Sequence, residues 1–577
     1  MLISSILSLL SSSAVTTRRD KCIIYARSTI TPLIISFISI LNGYYPEFQD
    51  KALGIYHGIL HITPPTHIFS LFIVIISILI LQLNSFYSRK VWTEKFSSIY
   101  KLMFCRLIFY NNFILNKMAE QYRILEYPII ILFVIIGGIL LMSCSNLISV
   151  FLCIELQSYA LYVICSLYRK SEKAISAGLT YFLLGGLSSC FILLASGLIY
   201  SNSGNVNFDG LYIINSIGND NNNQFVMYDS TLQSYYINFA LTIMSIGFLF
   251  KVTAAPFHFW SPDVYDAIPT VVTTFVAIFA KISIFILLFH LVNYIGYSIV
   301  KTENDNVINT MFNFSWTFTF LISSLLSMLI GSILGLTQFR IKRLYAYSTI
   351  NHIGFILLAL TINTIESIQS FFFYLLQYSL TNLNAFMLLI AIGISLYMHV
   401  EKKDNNTSFI ISDLKNSPLQ LISQLKGYFH INPAIAVSLA LTLFSFVGIP
   451  PLVGFFAKQM VLSSALDSGY IFLTIIAILT SVISAYYYLS LVKQIFFSPS
   501  DYLISPQMKN VTVKGTINNI SNKDNNTSFI INNKNIVLSS HMSITIAFIT
   551  LIILLFILSP QEWLSIANIL ALILYNY

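Results

Sequence analysis

Charge is what this chain has least of. Only 9% of its 577 residues are Asp, Glu, Lys or Arg, against roughly 25% in soluble domains. That shortage excludes a row of soluble domains. Cysteine is scarce too, and all six (Cys22, Cys105, Cys144, Cys153, Cys165, Cys190) fall in the first third. None makes a C-x-x-C pair or a Cys/His cluster, which iron–sulfur and zinc sites need. Neither site is expected, and disulfides are not expected either. The chain has no G-x-G-x-x-G fingerprint, no P-loop and no nucleophile elbow. It is therefore expected to hold no cofactor of its own. No basic region precedes the first apolar run, and Arg18 and Arg19 follow it, so a secretory signal is not expected. No Arg-rich amphipathic presequence precedes it either. An organellar protein of this kind would be made inside its organelle.

What the chain does have is apolar length. It is 56% hydrophobic, with mean hydropathy +0.77. About 20 apolar residues cross a bilayer as a helix. Fourteen segments qualify: 2–16, 28–44, 66–87, 128–144, 146–168, 174–200, 233–260, 267–295, 314–337, 344–363, 368–399, 432–464, 470–496 and 541–572. The fold class expected is an all-α polytopic membrane protein with about fourteen transmembrane helices.

The charges sort by side. With the N-terminus outside, all but five of the 31 Lys and Arg fall in loops on the inner face, for example Arg89, Lys90, Lys95, Arg340, Lys342 and Arg343. Two, Lys51 and Lys301, fall outside. Lys251, Lys281 and Lys458 fall within the membrane. This is the positive-inside pattern. The net charge of +8 therefore reports topology, and no nucleic-acid partner is expected. Both termini are expected on the outer side.

Prolines interrupt two of the spans. The seventh reads GFLFKVTAAPFHFW, with Pro256 after Lys251. The twelfth reads FSFVGIPPLVGFFAKQM, with Pro450 and Pro451 before Lys458. A break frees backbone groups that only protein or cavity water can satisfy at bilayer depth. Spans 4–8 and 9–13 make two five-helix units, each broken in its fourth helix. An odd number of helices per unit inverts the second unit, so two inverted five-helix repeats with discontinuous helices 7 and 12 are expected, a transporter architecture. The division expected is 1–127 (three helices and a basic loop), 128–295 (first repeat), 296–496 (second repeat) and 497–577 (polar loop and last helix). The competing reading is that the prolines only kink helices for packing. The segment KDNNTSFII occurs at both 403–411 and 523–531, and no function is assigned to it.

Four ionisable residues lie well inside spans: Glu155, Lys251, Lys281 and Lys458. A cation at mid-membrane costs at least ~2.5–3.5 kcal/mol on insertion scales. Burial disfavours the charged forms of amines and carboxyls alike, and a nearby opposite charge reverses both effects. At ~4 Å and an effective dielectric near 20, a Glu155–Lys251 pair attracts by about 4 kcal/mol. Opening and closing that pair would control a proton, which is expected to pass laterally from Lys251 to Lys281 to Lys458. Lysine suits such work because its proton is negotiable, whereas arginine stays charged. His258, two residues past Pro256, is a candidate shuttle to the inner side. His352, in YSTINHIGF, occupies the helix 10 position that matches Glu155 in the other repeat and is expected to join the chain of polar groups. Asp263 and Asp266 read as loop and helix-cap residues. The bland alternative is that each lysine snorkels or makes a static bridge.

These residues carry a resemblance. The runs FKVTAAPFHFWSPDVYDAIPT (250–270), IELQSYALYV (154–163) and GIPPLVGFFAK (448–458) resemble the antiporter-like membrane subunits of respiratory complex I, the proton-pumping NADH:ubiquinone oxidoreductase. The resemblance spans roughly residues 120–500. It implies that Glu155, Lys251, Lys281 and Lys458 carry proton translocation, coupled to electron transfer elsewhere. It also implies that NADH, flavin, iron–sulfur clusters and ubiquinone belong to partner subunits. The partners would be other complex I membrane and accessory subunits, with anionic phospholipids at the basic face. The location would be the mitochondrial inner membrane, with the inner face in the matrix. Two other readings compete: a subunit of a multi-subunit cation/proton antiporter, and a membrane scaffold with no transport role.

Overall fold

A computed structural model describes residues 2–15, 22–43, 53–85, 126–168, 171–218, 227–296, 316–396, 399–401, 409–410, 419–499, 502–504 and 540–575. The basic loop at 88–125, Lys51, Lys301 and nearly all of the two KDNNTSFII copies lie outside the described residues.

Helices dominate. The N-terminal group is α1 (Leu2–Val15), α2 (Cys22–Asn42) and α3 (Pro64–Ser85). Next come α4 (Tyr127–Met142), α5 (Leu147–Ser166), α6 (Glu172–Ser203), the short α7 (Phe208–Gly218), α8 (Met227–Val252), α9 (Trp260–Ala267) and α10 (Thr270–Gly296). Then follow α11 (Thr317–Leu336), α12 (Ile341–Ile362), α13 (Ile365–Leu396), α14 (Pro433–Val447), α15 (Val453–Asp467) and α16 (Ile471–Phe497). The chain closes with α17 (Ser540–Leu555) and α18 (Pro560–Tyr575). A hairpin of β1 (Leu53–Ile55) and β2 (Leu60–Ile62) and three short strands, β3 (His399–Glu401), β4 (Phe409–Ile410) and β5 (Tyr502–Ile504), sit between helices.

Local chemistry sets the helix ends. Asn146 accepts from the Ile148 amide and Ser171 from the Ala174 amide, so α5 and α6 start on side-chain caps. Each of the fourteen expected spans contains a helix, and spans 7 and 12 are broken as expected. The last span differs: it is two helices separated by a turn at Phe556–Ser559, because Pro560 has no N–H to continue the first. Helix α7 was not anticipated.

The two breaks leave carbonyls without helical partners, and side chains take them up. In the first, α8 stops at Val252, Thr253 adopts φ 70°, and Ala255–Pro256 is cis. There the Trp260 indole N–H donates to the Phe250 carbonyl at 3.0 Å. In the second, α14 ends at Gly448 with φ 87°, and Pro450–Pro451 is cis. There the donor is a lysine, described below.

The neighbour pattern occurs twice. In the first set α4 packs on α5 and α10, α5 on α6, and α6 on both α8 and α9. In the second, α11 packs on α12 and α16, α12 on α13, and α13 on both α14 and α15. Close glycine contacts match as well. A Cβ on Gly137 would lie 2.9 Å from the Gln157 amide, and one on Gly331 2.7 Å from the Asn351 amide. Small residues let membrane helices approach this closely.

The sets meet where α9 packs on α12 and α10 on α13. Helix α10 is buried from Thr270 to Val292, covered also by α3 and α4. The outer helices are the reverse. Helix α6 exposes Leu179, Leu183, Leu187 and Leu194, and α16 exposes Phe472, Ile475, Leu479 and Val482. Apolar faces of that extent fit lipid, not water.

Candidate functional site: buried amines between two broken helices

Glu155 projects from the middle of α5 and Lys251 from the last turn of α8. Their charged atoms approach to 3.5 Å, with side chains 13% and 8% exposed. The pair forms just before the break, where α8 gives way to the Thr253–Phe259 turn. The break thus lies one residue from a charge pair that the surrounding helices keep from solvent.

Lys281 lies on the buried helix α10 and is 1% exposed. Its partners belong to the second set of helices. The ammonium donates to Thr349 Oγ1 on α12 at 3.2 Å and to Tyr378 Oη on α13 at 3.3 Å. It also lies 5.7 Å from the ring centre of Tyr265, on α9. Tyr378 in turn donates to the Ala277 carbonyl at 3.3 Å, which closes the contact back onto α10. No carboxylate touches Lys281 among the described residues.

Lys458, on α15, folds back onto the end of α14. It donates to the carbonyls of Phe446 and Val447, both at 2.8 Å. These are carbonyls orphaned by the break, at the negative end of the helix dipole. Gly448 is needed here on two counts. Its φ is positive, and a Cβ would lie 3.1 Å from Lys458 Cδ.

His352 lies between the last two lysines. Its Nδ1 pairs with Tyr374 Oη at 2.8 Å, and its ring packs 5.3 Å from Phe446 and 6.1 Å from Tyr378. Thr349, which binds Lys281, is one turn earlier on the same helix. Phe446, whose carbonyl binds Lys458, touches the imidazole. The order across the second set is therefore Lys281, Thr349 and Tyr378, His352, then Phe446 and Lys458. His352 Nε2 and Asn351 Oδ1 are buried without a hydrogen-bond partner in the protein. Buried polar atoms are usually satisfied, and water is the partner a polar cavity supplies.

The structure brings the expected residues together unevenly. Glu155 and Lys251 pair directly. Tyr378, Thr349 and His352 lie between Lys281 and Lys458, but the hydrogen bonds are not continuous among the described residues: His352 bonds Tyr374 and meets Tyr378 and Phe446 only by ring packing. No direct bond joins the Lys251 pair to Lys281 among the described residues. Gln157, two residues past Glu155, reaches α10 instead, through reciprocal bonds of 3.0 and 3.2 Å with Ser283. His258 sits in the turn of the first break, 7% exposed, its ring 6.5 Å from that of Tyr347 on α12.

Asp263 and Asp266 are not the loop and helix-cap residues expected: both lie within α9 and form ion pairs to the start of α12. Asp263 binds Arg343 at 2.6 Å and Asp266 binds Arg340. Lys342 adds a bond to the Ile268 carbonyl at 2.6 Å. These contacts tie the broken helix of one set to the helix that carries Thr349 and His352 in the other.

Residues 144–484 match the family model for the membrane-spanning region of NADH:quinone oxidoreductase and Mrp antiporter subunits. The chain is 40% identical to NADH-ubiquinone oxidoreductase chain 2 of Rhizopus oryzae, over 100% of both chains. Among solved structures it is similar to a chain of respiratory complex I from Thermus thermophilus, with TM-score 0.65, 21% identity and coverage of 98% and 97%. It is also similar to a chain of the Mrp complex from Dietzia, with TM-score 0.67, 16% identity and coverage of 100% and 96%.

Proposed function

Because this chain belongs to the NADH:quinone oxidoreductase/Mrp antiporter family, as an antiporter-like membrane subunit of the complex I chain 2 type, we propose that Glu155, Lys251, Lys281, His352 and Lys458 form its proton relay. The observation that carries this reading is a run of contacts across α10, α12, α13 and α15: Lys281 on Thr349 and Tyr378, His352 packed beside Tyr378 and Phe446, and Lys458 on the Phe446 carbonyl.

Each group has a separate task. Glu155 holds Lys251 charged while the pair is closed. Separation removes the attraction and leaves an ammonium in a low-dielectric site, which drives its proton onward. Lys281 receives that charge on α10, and the hydroxyls of Thr349 and Tyr378 hold it at the junction of the two units. Water bound to His352 Nε2 and Asn351 Oδ1 carries it towards Lys458. Lys458 rests on two carbonyls, so its charged form is stabilised without a carboxylate that would trap it. His258 links the first break to the inner side. The lateral order remains Lys251, Lys281, Lys458, divided between the five-helix units at 128–295 and 296–496.

The chain itself moves charge and leaves electron transfer to others. NADH, flavin, iron–sulfur clusters and ubiquinone are assigned to partner subunits of the complex. The inner face is assigned to the mitochondrial matrix, with both termini on the intermembrane-space side and anionic phospholipids at the basic rim.

Lys251→Ala in the assembled complex is the test. Proton translocation should fall at least tenfold while the complex still assembles. Wild-type pumping together with wild-type quinone reduction would remove Lys251 from the relay. A sodium-for-proton exchange that needs no electron donor would instead favour the cation/proton antiporter reading, which the likeness to an Mrp chain keeps in view.

A further inference from the structure

We propose that Cys144 and Cys153 form an oxidisable dithiol that takes small-molecule disulfides by exchange and clamps the start of the helix carrying Glu155. The relay leaves these thiols unused, and the sequence gives no C-x-x-C spacing to announce them. The fold brings them together: their sulfurs lie 3.6 Å apart, and both side chains are buried. Cys165 and Cys190 stay unpaired.

The setting suits closure. Cys144 is not in a helix. It lies in the corner between α4 and α5, where its thiol donates to the Leu140 carbonyl at 3.1 Å. The β1–β2 hairpin docks on that corner. His61 donates its amide to Ser143, Ser145 donates its amide to Ile59, and the Ser145 hydroxyl binds Gly58. Cys153 is on α5, two residues before Glu155. A disulfide has its sulfurs about 2.0 Å apart, so closure needs a movement of about 1.5 Å, which a non-helical corner supplies more readily than two helices would.

The chemistry balances with a named oxidant. One of the two cysteine thiolates attacks a sulfur of the small disulfide and expels one thiolate. The other cysteine's thiolate then attacks the first cysteine's Sγ in the mixed disulfide and expels the second. Two thiol protons leave the protein, and the two electrons reside in the two released thiols. The new bond ties α5 to the corner and to the hairpin above it. That restrains the helix whose carboxylate must separate from Lys251. The clamping effect rests on the relay reading, whereas formation of the bond does not.

The test uses the purified complex in proteoliposomes, treated with a neutral dipyridyl disulfide. Mass spectrometry of the alkylated digest should find a peptide linking Cys144 to Cys153. Proton pumping should fall at least twofold and return after dithiothreitol. Pumping by the Cys144→Ser complex should be insensitive to the oxidant. Two alkylatable thiols after treatment would overturn the site. A linked peptide with unchanged pumping, or an equal loss in Cys144→Ser, would overturn the clamp while leaving the relay to its own test at Lys251.

Discussion

Replacing Glu155 with glutamine isolates the charge of the first pair from its shape. The two charged atoms are 3.5 Å apart, with side chains 13% and 8% exposed. At an effective dielectric near 20, a pair at that distance attracts by about 5 kcal/mol. Glutamine keeps the volume and a carbonyl oxygen, so packing of α5 on α4 and α6 is retained. Lys251 is left as a buried cation without its counter-charge, and breaking one partner of a buried pair costs on the order of 3–5 kcal/mol. A tenth of a rate corresponds to about 1.4 kcal/mol, so a loss well beyond tenfold is available from this contact. The assay is acidification of proteoliposomes holding the complex, normalised to complex content on a native gel. Glu155→Asp keeps the charge on a shorter arm and should pump at an intermediate rate. If the Gln variant assembles and pumps like wild type, the Glu155–Lys251 pair does not gate proton movement.

Other expectations follow from the second unit and the rim. Lys281→Met fills the same volume without a charge and should abolish at least nine-tenths of pumping in an assembled complex. Tyr378→Phe should lose less, because Thr349 still holds the ammonium. Gly448→Ala forces a side chain into a positive-φ position against Lys458, at a strain of roughly 1–3 kcal/mol. Native gels should show less assembled complex, and unaltered assembly with full pumping would contradict the packing described. Asp263→Asn should be mild. Asp263 is 70% exposed and its partner Arg343 39%, and exposed pairs contribute only about 0–1 kcal/mol. Thermal stability should change little and pumping should stay within twofold, whereas a tenfold loss would assign the rim pairs a direct part in transport.

The charged centres were legible in the sequence because the membrane makes them conspicuous. Glu155, Lys251, Lys281 and Lys458 each interrupt a long apolar run, and the prolines beside two of them mark the breaks. What joins them was not legible. Tyr374 and Tyr378 are two among 34 tyrosines, and nothing local distinguishes a tyrosine that binds a lysine from one that fills space. Lys458 binds backbone carbonyls, which have no sequence signature. Asp263 and Asp266 look like cap residues until α12 brings Arg340 and Arg343 against them. The turn before Pro560 was missed because the apolar run continues through it, although proline marks it in hindsight. Cys144 and Cys153 meet because a corner and a helix fold over one another, a relation that spacing alone does not encode.

The proposed relay requires water and side chains together to form a proton path from Lys281 through His352 to Lys458. A map of the assembled complex that resolves ordered water tests it most directly. Water should be bound to His352 Nε2 and Asn351 Oδ1, continuous with the Lys281 and Lys458 ammonium groups in at least one turnover state. Dry, closed packing between those groups in every state would contradict it.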